Sequence, residues 1–495
     1  MWILLYFLDY LFTYVEFIRR FNTQEFIDAS GNTYVGYNIH INGLFHCTVR
    51  YKQLYSLHEQ LAKDLDISLP SFPPKKFFPL TTNQQDERRL SLEKYIQAIG
   101  QNPVVNNSGM LNGFLLNAQQ ETVGGPSNNE VMDIFLMNGC KITINVSTGD
   151  HSGSVLKKIY KHLRLPEQYY CYFALFIVVQ DEAHSVHLLR KLQDFESPFI
   201  TNKYLHVIGS KVVLGKNYWD VGYDLKLMNN GVALNLLYIQ AVAEIQRGWI
   251  PITDELNSQL SVLQKNGKKR EYLDIIRASK YYGYIQFAPC FCDYPRADTK
   301  VLVAIGRNEL NIRILNDEGH SEEVFKVSRM RCWRITTLQN GFERGSEESD
   351  DFSLELSFEY LIAKEQLQWI TITSEQAILM SVCLQAMIDE LLSKTVGSNK
   401  TQESSEKCWT YVKRDGQSVT IGSRSAEEHE ESKKNHCVRQ PSKSEPIMKK
   451  LADRLKMKKA NNVKHNMVDN VQGRQTLEYD IMENNAFRMI GDDDL

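Results

Sequence analysis

Arg50 and Tyr51 stand where an extended run gives way to a helix, and those two side chains at that junction suit the capture of a phosphate. The alternating stretch from Tyr37 to Cys47 predicts a hairpin, and Leu54, Leu57, Leu61 and Leu65, recurring every three or four residues, predict the helix that follows. A guanidinium can grip a phosphate with two parallel N–H···O bonds. The helix N-terminus adds unpaired N–H groups, and a tyrosine face can cover an inositol or sugar ring. Downstream, Pro70, Pro73 and Pro74 stiffen the backbone and fix where Lys75 and Lys76 point. Phe77 and Phe78 come next, and lysines beside phenylalanines suit a loop that meets an anionic lipid surface. The residues equally allow those rings to be core and the lysines a solvated edge.

The elements that position these groups belong to a long chain. Its 495 residues imply several domains with more than one core. A net charge of −3 excludes a globally basic nucleic-acid binder and confines membrane attraction to local patches. Nine cysteines at irregular spacing, with no Cys-x-x-Cys pair, speak against a disulfide framework and a zinc site. Cys290 and Cys292 read as buried thiols in a strand, and the compartment as reducing, the cytosol. The twelve histidines form no ligand-spaced cluster, and the phosphate-loop, zincin, nucleophile-elbow and kinase motifs are all absent, so the sequence implies no catalytic residues, no cofactor and no metal.

Residues 1–29 form an atypical apolar extension. Its first eighteen residues lack the basic start and small-residue end of a signal peptide, and Asp9 and Glu16 would be costly in hydrocarbon. An amphipathic interfacial helix and a misassigned start of translation remain the two readings. Residues 30–120 form a first domain, closed by a helical tract through Leu111, Phe114 and Leu115; the Gly-Gly-Pro-Ser-Asn-Asn stretch from Gly124 then reads as a linker. Residues 130–215 read as hairpin (turn at Asn138-Gly139), helix and strands, the order of a ubiquitin-like fold. Residues 216–283 predict a small helical bundle. Across 284–395 the strand signal returns and one long helix follows Thr373-Ser-Glu-Gln376, fitting a phosphotyrosine-binding or pleckstrin-type sandwich. Residues 396–495 are polar and poor in aromatics, the composition of a disordered tail. The basic stretch Met448–Lys459 inside it has helical apolar spacing, open between a membrane or partner helix and a solvated one.

Arg-Tyr at a strand-to-helix junction, Phe72-Pro-Pro-Lys-Lys76 and Glu87-Arg-Arg-Leu90 followed by Leu92-Glu-Lys-Tyr95 resemble the phox-homology (PX) domain of sorting nexins, which binds phosphatidylinositol 3-phosphate. The likeness to the PX-FERM subfamily continues from about Thr33 to the last residue. The fold class it implies is α+β multidomain: a PX domain, then a FERM-like module of ubiquitin-like, helical and PTB/PH-like lobes, then the tail. By motif, Arg50 would grip the 3-phosphate, Tyr51 would stack on the inositol ring, Lys75 would meet the 1-phosphate and Arg88 the ring hydroxyls. Lys52 stands where the family usually has a serine on the 3-phosphate, which leaves phosphoinositide selectivity open.

The resemblance further implies that the third FERM lobe adds an Asn-Pro-x-Tyr or Asn-x-x-Tyr receptor tail as a strand on a sheet edge, with Trp333, Ile388 and Leu392 lining the slot for the terminal aromatic. Taken without the resemblance, those three residues read as ordinary core. The terminus, Asn484-Asn-Ala-Phe487 and Ile490-Gly491-Asp492-Asp493-Asp494-Leu495, is similar to the family tail that recruits the Retriever part of the Commander complex for recycling from endosome to cell surface. Asn484-x-x-Phe487 is also a shortened copy of the cargo motif, so the tail is expected to fold back onto the chain's own slot and compete with cargo. The implied place of work is the cytosolic face of early endosomes, with no nucleic-acid partner. A cortical scaffold linking membrane to cytoskeleton is the alternative.

Overall fold

The computed structural model describes residues 23–27, 31, 33–76, 80–124, 128–180, 186–204, 209–315, 321–339, 352–364, 366–395, 409–421, 476–478, 482–484 and 487. Within them the chain is α+β and multidomain, as expected.

The first unit opens with a three-stranded antiparallel sheet, β1 (Thr23–Ile27), β2 (Thr33–Ile41) and β3 (Leu44–Arg50). The sheet thus starts before the residue at which the sequence suggested a domain. Asn42 and Gly43 join β2 to β3 with φ of 49° and 81°, the left-handed pair that a two-residue hairpin needs. Helix α1 (Tyr51–Asp64) follows without a loop and buries Leu54, Leu57 and Leu61 against Tyr37, Ile39, Cys47 and Val49; Leu65, just past its end, is half-buried on the same core. Helices α2 (Thr82–Gly100), α3 (Pro103–Asn107) and α4 (Met110–Val123) complete the unit. Thr81 and Gln84 cap α2 reciprocally, each side chain bonding the other's backbone N–H.

The second unit is a five-stranded sheet in the order β5-β4-β8-β6-β7, in which β4 (Asn129–Leu136) and β8 (Lys211–Lys216) run parallel. Its other strands are β5 (Lys141–Ser147), β6 (Phe173–Gln180) and β7 (Val186–Lys191); α5 (Ser152–Leu163) covers one face, and α6 (Pro198–Tyr204) precedes β8. Four helices, α7 (Tyr223–Leu227), α8 (Gly231–Gln246), α9 (Asp254–Lys265) and α10 (Lys269–Ile276), make the third unit and share one apolar core with the second. Within it Asp224, fully buried, accepts hydrogen bonds from Tyr282 and Arg277.

The fourth unit is a large antiparallel sheet built from β9 (Ile285–Gln286), β10 (Cys290–Cys292), β11 (Thr299–Gly306), β12 (Glu309–Ile314), β13 (Glu322–Lys326), β14 (Met330–Gln339), β15 (Phe352–Ala363) and β16 (Gln366–Thr373). Helix α11 (Ala377–Thr395) packs onto it, burying Met380, Leu384 and Met387, and Cys290 and Cys292 are buried thiols in β10.

The units are braced against each other. Phe195 of the second enters the core of the first, and Gln119 of α4 donates to Thr201 and accepts from the Ser197 N–H. Beneath that joint, Arg190 and Glu196 form a fully buried two-pronged ion pair. Glu390 of α11 accepts the backbone N–H groups of Trp219 and Asp220 at 2.8 and 2.7 Å, clamping the fourth unit to the junction of the second and third.

Two pieces of the C-terminal region return to the body. Within the stretch expected to lack packed structure, Trp409–Val412 (β17) and Ser418–Ile421 (β18) pair as a hairpin and join the core of the first unit. Alternation of Trp409 and Tyr411 with polar neighbours supplies the apolar face, and Asp415-Gly416 supplies the turn, with Gly416 at φ 91°. Further on, β19 (Thr476–Glu478) and β20 (Met482–Glu483) pair antiparallel with β14.

Candidate functional site

Extended backbone carries β3 to Arg50 (φ −88°, ψ 154°), and the helix begins at the next residue. The Gln53 side chain accepts the Arg50 N–H at 2.8 Å, which fixes the first turn. The Arg50 guanidinium lies 3.6 Å from the centre of the Tyr34 ring, and its Nη1 donates to the carbonyl of Arg414 at 2.8 Å. From α2, Arg88 lays its guanidinium 4.3 Å over the Tyr51 ring and reaches the Pro74 carbonyl at 3.4 Å. The Tyr51 hydroxyl donates to the Pro73 carbonyl at 2.8 Å, so the proline loop is pinned to the start of α1. Burial pushes the Tyr37 hydroxyl above its ordinary range, against the opposing charge of Arg88 beside it. It is therefore a neutral wall of the site.

Arg50, Tyr51 and Arg88 are thus brought together, and Lys75 and Lys76 stand exposed at the end of the proline loop. Lys52 is exposed too, and its ammonium borders the hairpin turn: a Cβ on Gly416 would come within 3.2 Å of Lys52 Nζ. Among the described residues no carboxylate pairs with Arg50 or Arg88, so their positive charge is left for an anion. A cleft of about 580 Å³ opens on the other flank of the proline loop, between Tyr55, His58, Glu59, Lys63, Phe72 and Lys75. It contains Lys75 but none of the other expected phosphate ligands. Phe77 and Phe78 lie outside the described residues.

A second arrangement sits at the edge of β14. Trp333 is fully buried there, its indole N–H donating to Ser381 of α11 at 3.0 Å; Ile388 is buried and Leu392 half-buried in the same core. The outer edge of β14 is the natural place for an added strand, and β19 and β20 occupy it, with Trp333 opposite Met482 and Thr337 opposite Leu477. Asn484 is buried immediately afterwards. Its Nδ2 donates to the carbonyls of Val327 and Met330 at 2.8 and 2.7 Å, and its backbone N–H to Arg331 at 3.0 Å. Phe487 N–H turns back onto the Asn484 carbonyl at 3.1 Å, and the Phe487 ring is half-buried. An asparagine that fills two carbonyls and starts a turn toward an aromatic is what an Asn-x-x-Phe segment can offer a sheet edge. Ile490, Gly491, Asp492, Asp493, Asp494 and Leu495 fall outside the described residues, as do residues 1–22 and the basic stretch 448–459.

Sequence reasoning missed Tyr34, Gln53, Glu121 and the whole 409–421 hairpin. The alternation and Asp-Gly turn of the hairpin were legible; its docking site, more than three hundred residues upstream, was not.

Comparison with known proteins bears on both arrangements. The PX-domain family matches residues 37–118, the sorting nexin 17/27/31 FERM F1 lobe 130–219, the sorting nexin 17/31 F2 lobe 220–280, and the sorting nexin 17 FERM C-terminal domain 283–392. Sorting nexin-17 of Danio rerio is 45% identical over 392 residues, covering 78% of this chain and 83% of that protein. The Homo sapiens sorting nexin-17 is 44% identical, covering 75% and 80% of the two chains; Homo sapiens sorting nexin-31 is 35% identical, covering 76% and 86%.

Proposed function

The chain belongs to the sorting nexin-17 and sorting nexin-31 family of PX-FERM proteins, and from that membership we propose that it is an endosomal sorting adaptor with two reading heads. The first head takes phosphatidylinositol 3-phosphate. Arg50 holds the 3-phosphate, Tyr51 lies against the inositol ring, Arg88 bonds ring hydroxyls, and Lys52 and Lys75 add charge toward the phosphates. The observation that carries this reading is a pair of guanidinium groups beside a fresh helix N-terminus, Arg50 against the Tyr34 ring and Arg88 over the Tyr51 ring, with no carboxylate partner among the described residues. Phe77 and Phe78 then enter the lipid interface beside the loop lysines.

The second head takes Asn-Pro-x-Tyr or Asn-x-x-Tyr tails of transmembrane cargo by strand addition to β14, over the apolar base formed by Trp333, Ile388 and Leu392. The seating of this chain's own Asn484 and Phe487 on that edge supports the reading, because the segment copies the motif. Cargo and tail are then mutually exclusive. The terminal residues Phe487 and Ile490 to Leu495 recruit Retriever within Commander, so displacement of the tail by cargo couples loading to recruitment for return to the cell surface.

Binding of the full chain to phosphatidylcholine vesicles carrying one phosphoinositide at a time tests the first head. Binding restricted to phosphatidylinositol 3-phosphate and lost in Arg50→Ala is the expected result; equal binding to several phosphoinositides, or an Arg50→Ala protein that still binds, would overturn it.

A further inference from the structure

The hairpin of β17 and β18 is seated in the lipid-binding unit as firmly as a native element of it. Trp409 is 5% exposed and Tyr411 2% exposed, both inside the apolar core built by β2, β3, α1, α2 and α4. The Tyr411 ring lies tilted against Phe114, ring centres 5.6 Å apart; its hydroxyl donates to Glu121 at 2.7 Å, and Gln53 Nε2 donates to that hydroxyl, to Glu121 and to the Val412 carbonyl. Gln60 closes a backbone-like pair with Thr410, accepting its N–H at 2.8 Å and donating to its carbonyl at 2.6 Å. At the turn, the Arg414 N–H bonds Glu121 at 2.7 Å while its guanidinium reaches the Thr48 carbonyl and the Thr122 hydroxyl. The Arg414 carbonyl is the acceptor that holds Arg50.

These contacts converge on the first turn of α1. Gln53, which caps the Arg50 N–H, is itself held by two hairpin acceptors, the Tyr411 hydroxyl and the Val412 carbonyl, and by Glu121 of α4, while Arg50 is fixed between the Tyr34 ring and the Arg414 carbonyl. We propose that the lipid-binding domain is assembled from two separated pieces of chain, and that residues Trp409–Ile421 are a positioning part of its phosphate site, holding Arg50 in the orientation that receives a phosphomonoester. This rests on the reading that Arg50 binds phosphate. A guanidinium already restrained on one N–H and one face loses less side-chain freedom when it binds, so the hairpin raises affinity without touching the ligand. A neutral carbonyl is a weaker acceptor than a phosphate, and several of Arg50's five N–H donors stay available.

The test uses the full chain with three changes: Arg50→Ala, Gly416→Val and the pair Trp409→Ala with Tyr411→Ala. Gly416→Val strains a turn at φ 91° while leaving the buried aromatics in place, so it separates positioning from loss of fold; because the new side chain also crowds Lys52, the exchange rate at the start of α1 is what ties a loss of affinity to Arg50. Each protein is titrated with soluble inositol 1,3-bisphosphate and with phosphatidylcholine vesicles with and without phosphatidylinositol 3-phosphate. Hydrogen exchange across residues 45–60 is followed in parallel. The expected result is a roughly tenfold loss of affinity for both the soluble headgroup and the vesicles in Gly416→Val, a larger loss in the double variant, and faster exchange at the start of α1 in both. Loss on vesicles alone would make the hairpin a membrane contact and overturn the positioning role. Unchanged or tighter headgroup binding in the hairpin variants, with Arg50→Ala inactive, would overturn it and make the hairpin inert or a lid. An Arg50→Ala protein that binds normally would instead remove the phosphate reading on which the proposal stands, whatever the exchange data show.

Discussion

Replacing Asn484 with alanine should release the outer edge of β14, and the size of the effect follows from what the side chain touches. Its Nδ2 donates to two carbonyls, Val327 at 2.8 Å and Met330 at 2.7 Å, in a site where Asn484 is 5% exposed. Each such neutral bond contributes about 1 kcal/mol net, so the variant weakens tail docking by about 2 kcal/mol, or about thirtyfold in the docked-to-free ratio. The apparent Kd of a competing cargo peptide exceeds its intrinsic value by one plus that ratio. Fluorescence anisotropy with a labelled Asn-Pro-x-Tyr peptide should therefore show Asn484→Ala binding up to about thirtyfold more tightly than the unaltered full-length chain. The gain stops where the edge is already open, which a full-length chain carrying both Asn484→Ala and Phe487→Ala establishes. Identical affinities for the unaltered chain and both variants would refute the reasoning, because a strand that pairs with β14 without hindering cargo is not on the cargo edge.

Phe487→Ala alone should also tighten cargo-peptide binding, by less than the double variant, and an unchanged affinity in isothermal titration would count against competition. Glu196→Gln should lower stability by about 3–5 kcal/mol, since it strips the partner from Arg190, which is 1% exposed; chemical denaturation showing a loss under 1 kcal/mol would contradict the buried-pair account. His46 is 3% exposed, and burial pushes its pKa down to about 4, with Glu196 only partly opposing; its Nε2–H donates to the Leu115 carbonyl. Its folded pKa lies below the unfolded value, so the unfolded chain binds the proton first. Stability contributed by neutral His46 is complete above about pH 6.5, falls as the pH drops toward 4, and amounts to roughly 3 kcal/mol over that window. Urea midpoints between pH 7 and pH 4.5 should fall less steeply in His46→Gln; parallel slopes would exclude the histidine. Glu390→Ala should expose the Trp219–Asp220 joint to limited proteolysis at a cost of about 2–4 kcal/mol, as two backbone N–H groups lose their acceptor.

Much of this was readable from local pattern. Leu54, Leu57 and Leu61 repeat at helical spacing and are the buried face of α1, and Asn42-Gly43 and Asn138-Gly139 both turn hairpins. The strands around Val301, Leu310, Met330 and Leu354 and one long helix after Gln376 lie within the span where the strand signal returned, but the capping box expected at Thr373-Ser-Glu-Gln376 is not formed: Thr373 ends β16, and the Gln376 side chain accepts the Ala288 N–H and donates to the Leu188 carbonyl. Strand β16 carries Trp369-Ile-Thr-Ile at strand spacing, yet the sequence account passed over it because it follows β15 almost without punctuation. Of the candidate phosphate site, Arg50, Tyr51 and Arg88 were named in advance, whereas Tyr34 and the Arg414 carbonyl were not: one is a strand tyrosine just ahead of the alternating run, and the other is a backbone atom, which carries no side-chain signature. Trp409 and Tyr411 were hidden by composition, since two aromatics in a polar hundred-residue stretch do not change its average. Long-range docking of a short apolar face leaves no periodic trace in a single sequence.

The divided core has a consequence for how the protein is made. Gln53 and Tyr411 meet across 358 positions of chain. At about 5–20 residues per second, a ribosome needs roughly 20–70 s to go from one to the other. Throughout that interval the first domain has emerged without two of its core aromatics, and the surface formed by Leu57, Met110 and Phe114, against which Trp409 and Tyr411 later pack, faces water. A chain that stops before residue 409 never covers that patch. The first domain therefore closes its core only after synthesis has passed residue 421, later than the last helix of the fourth unit.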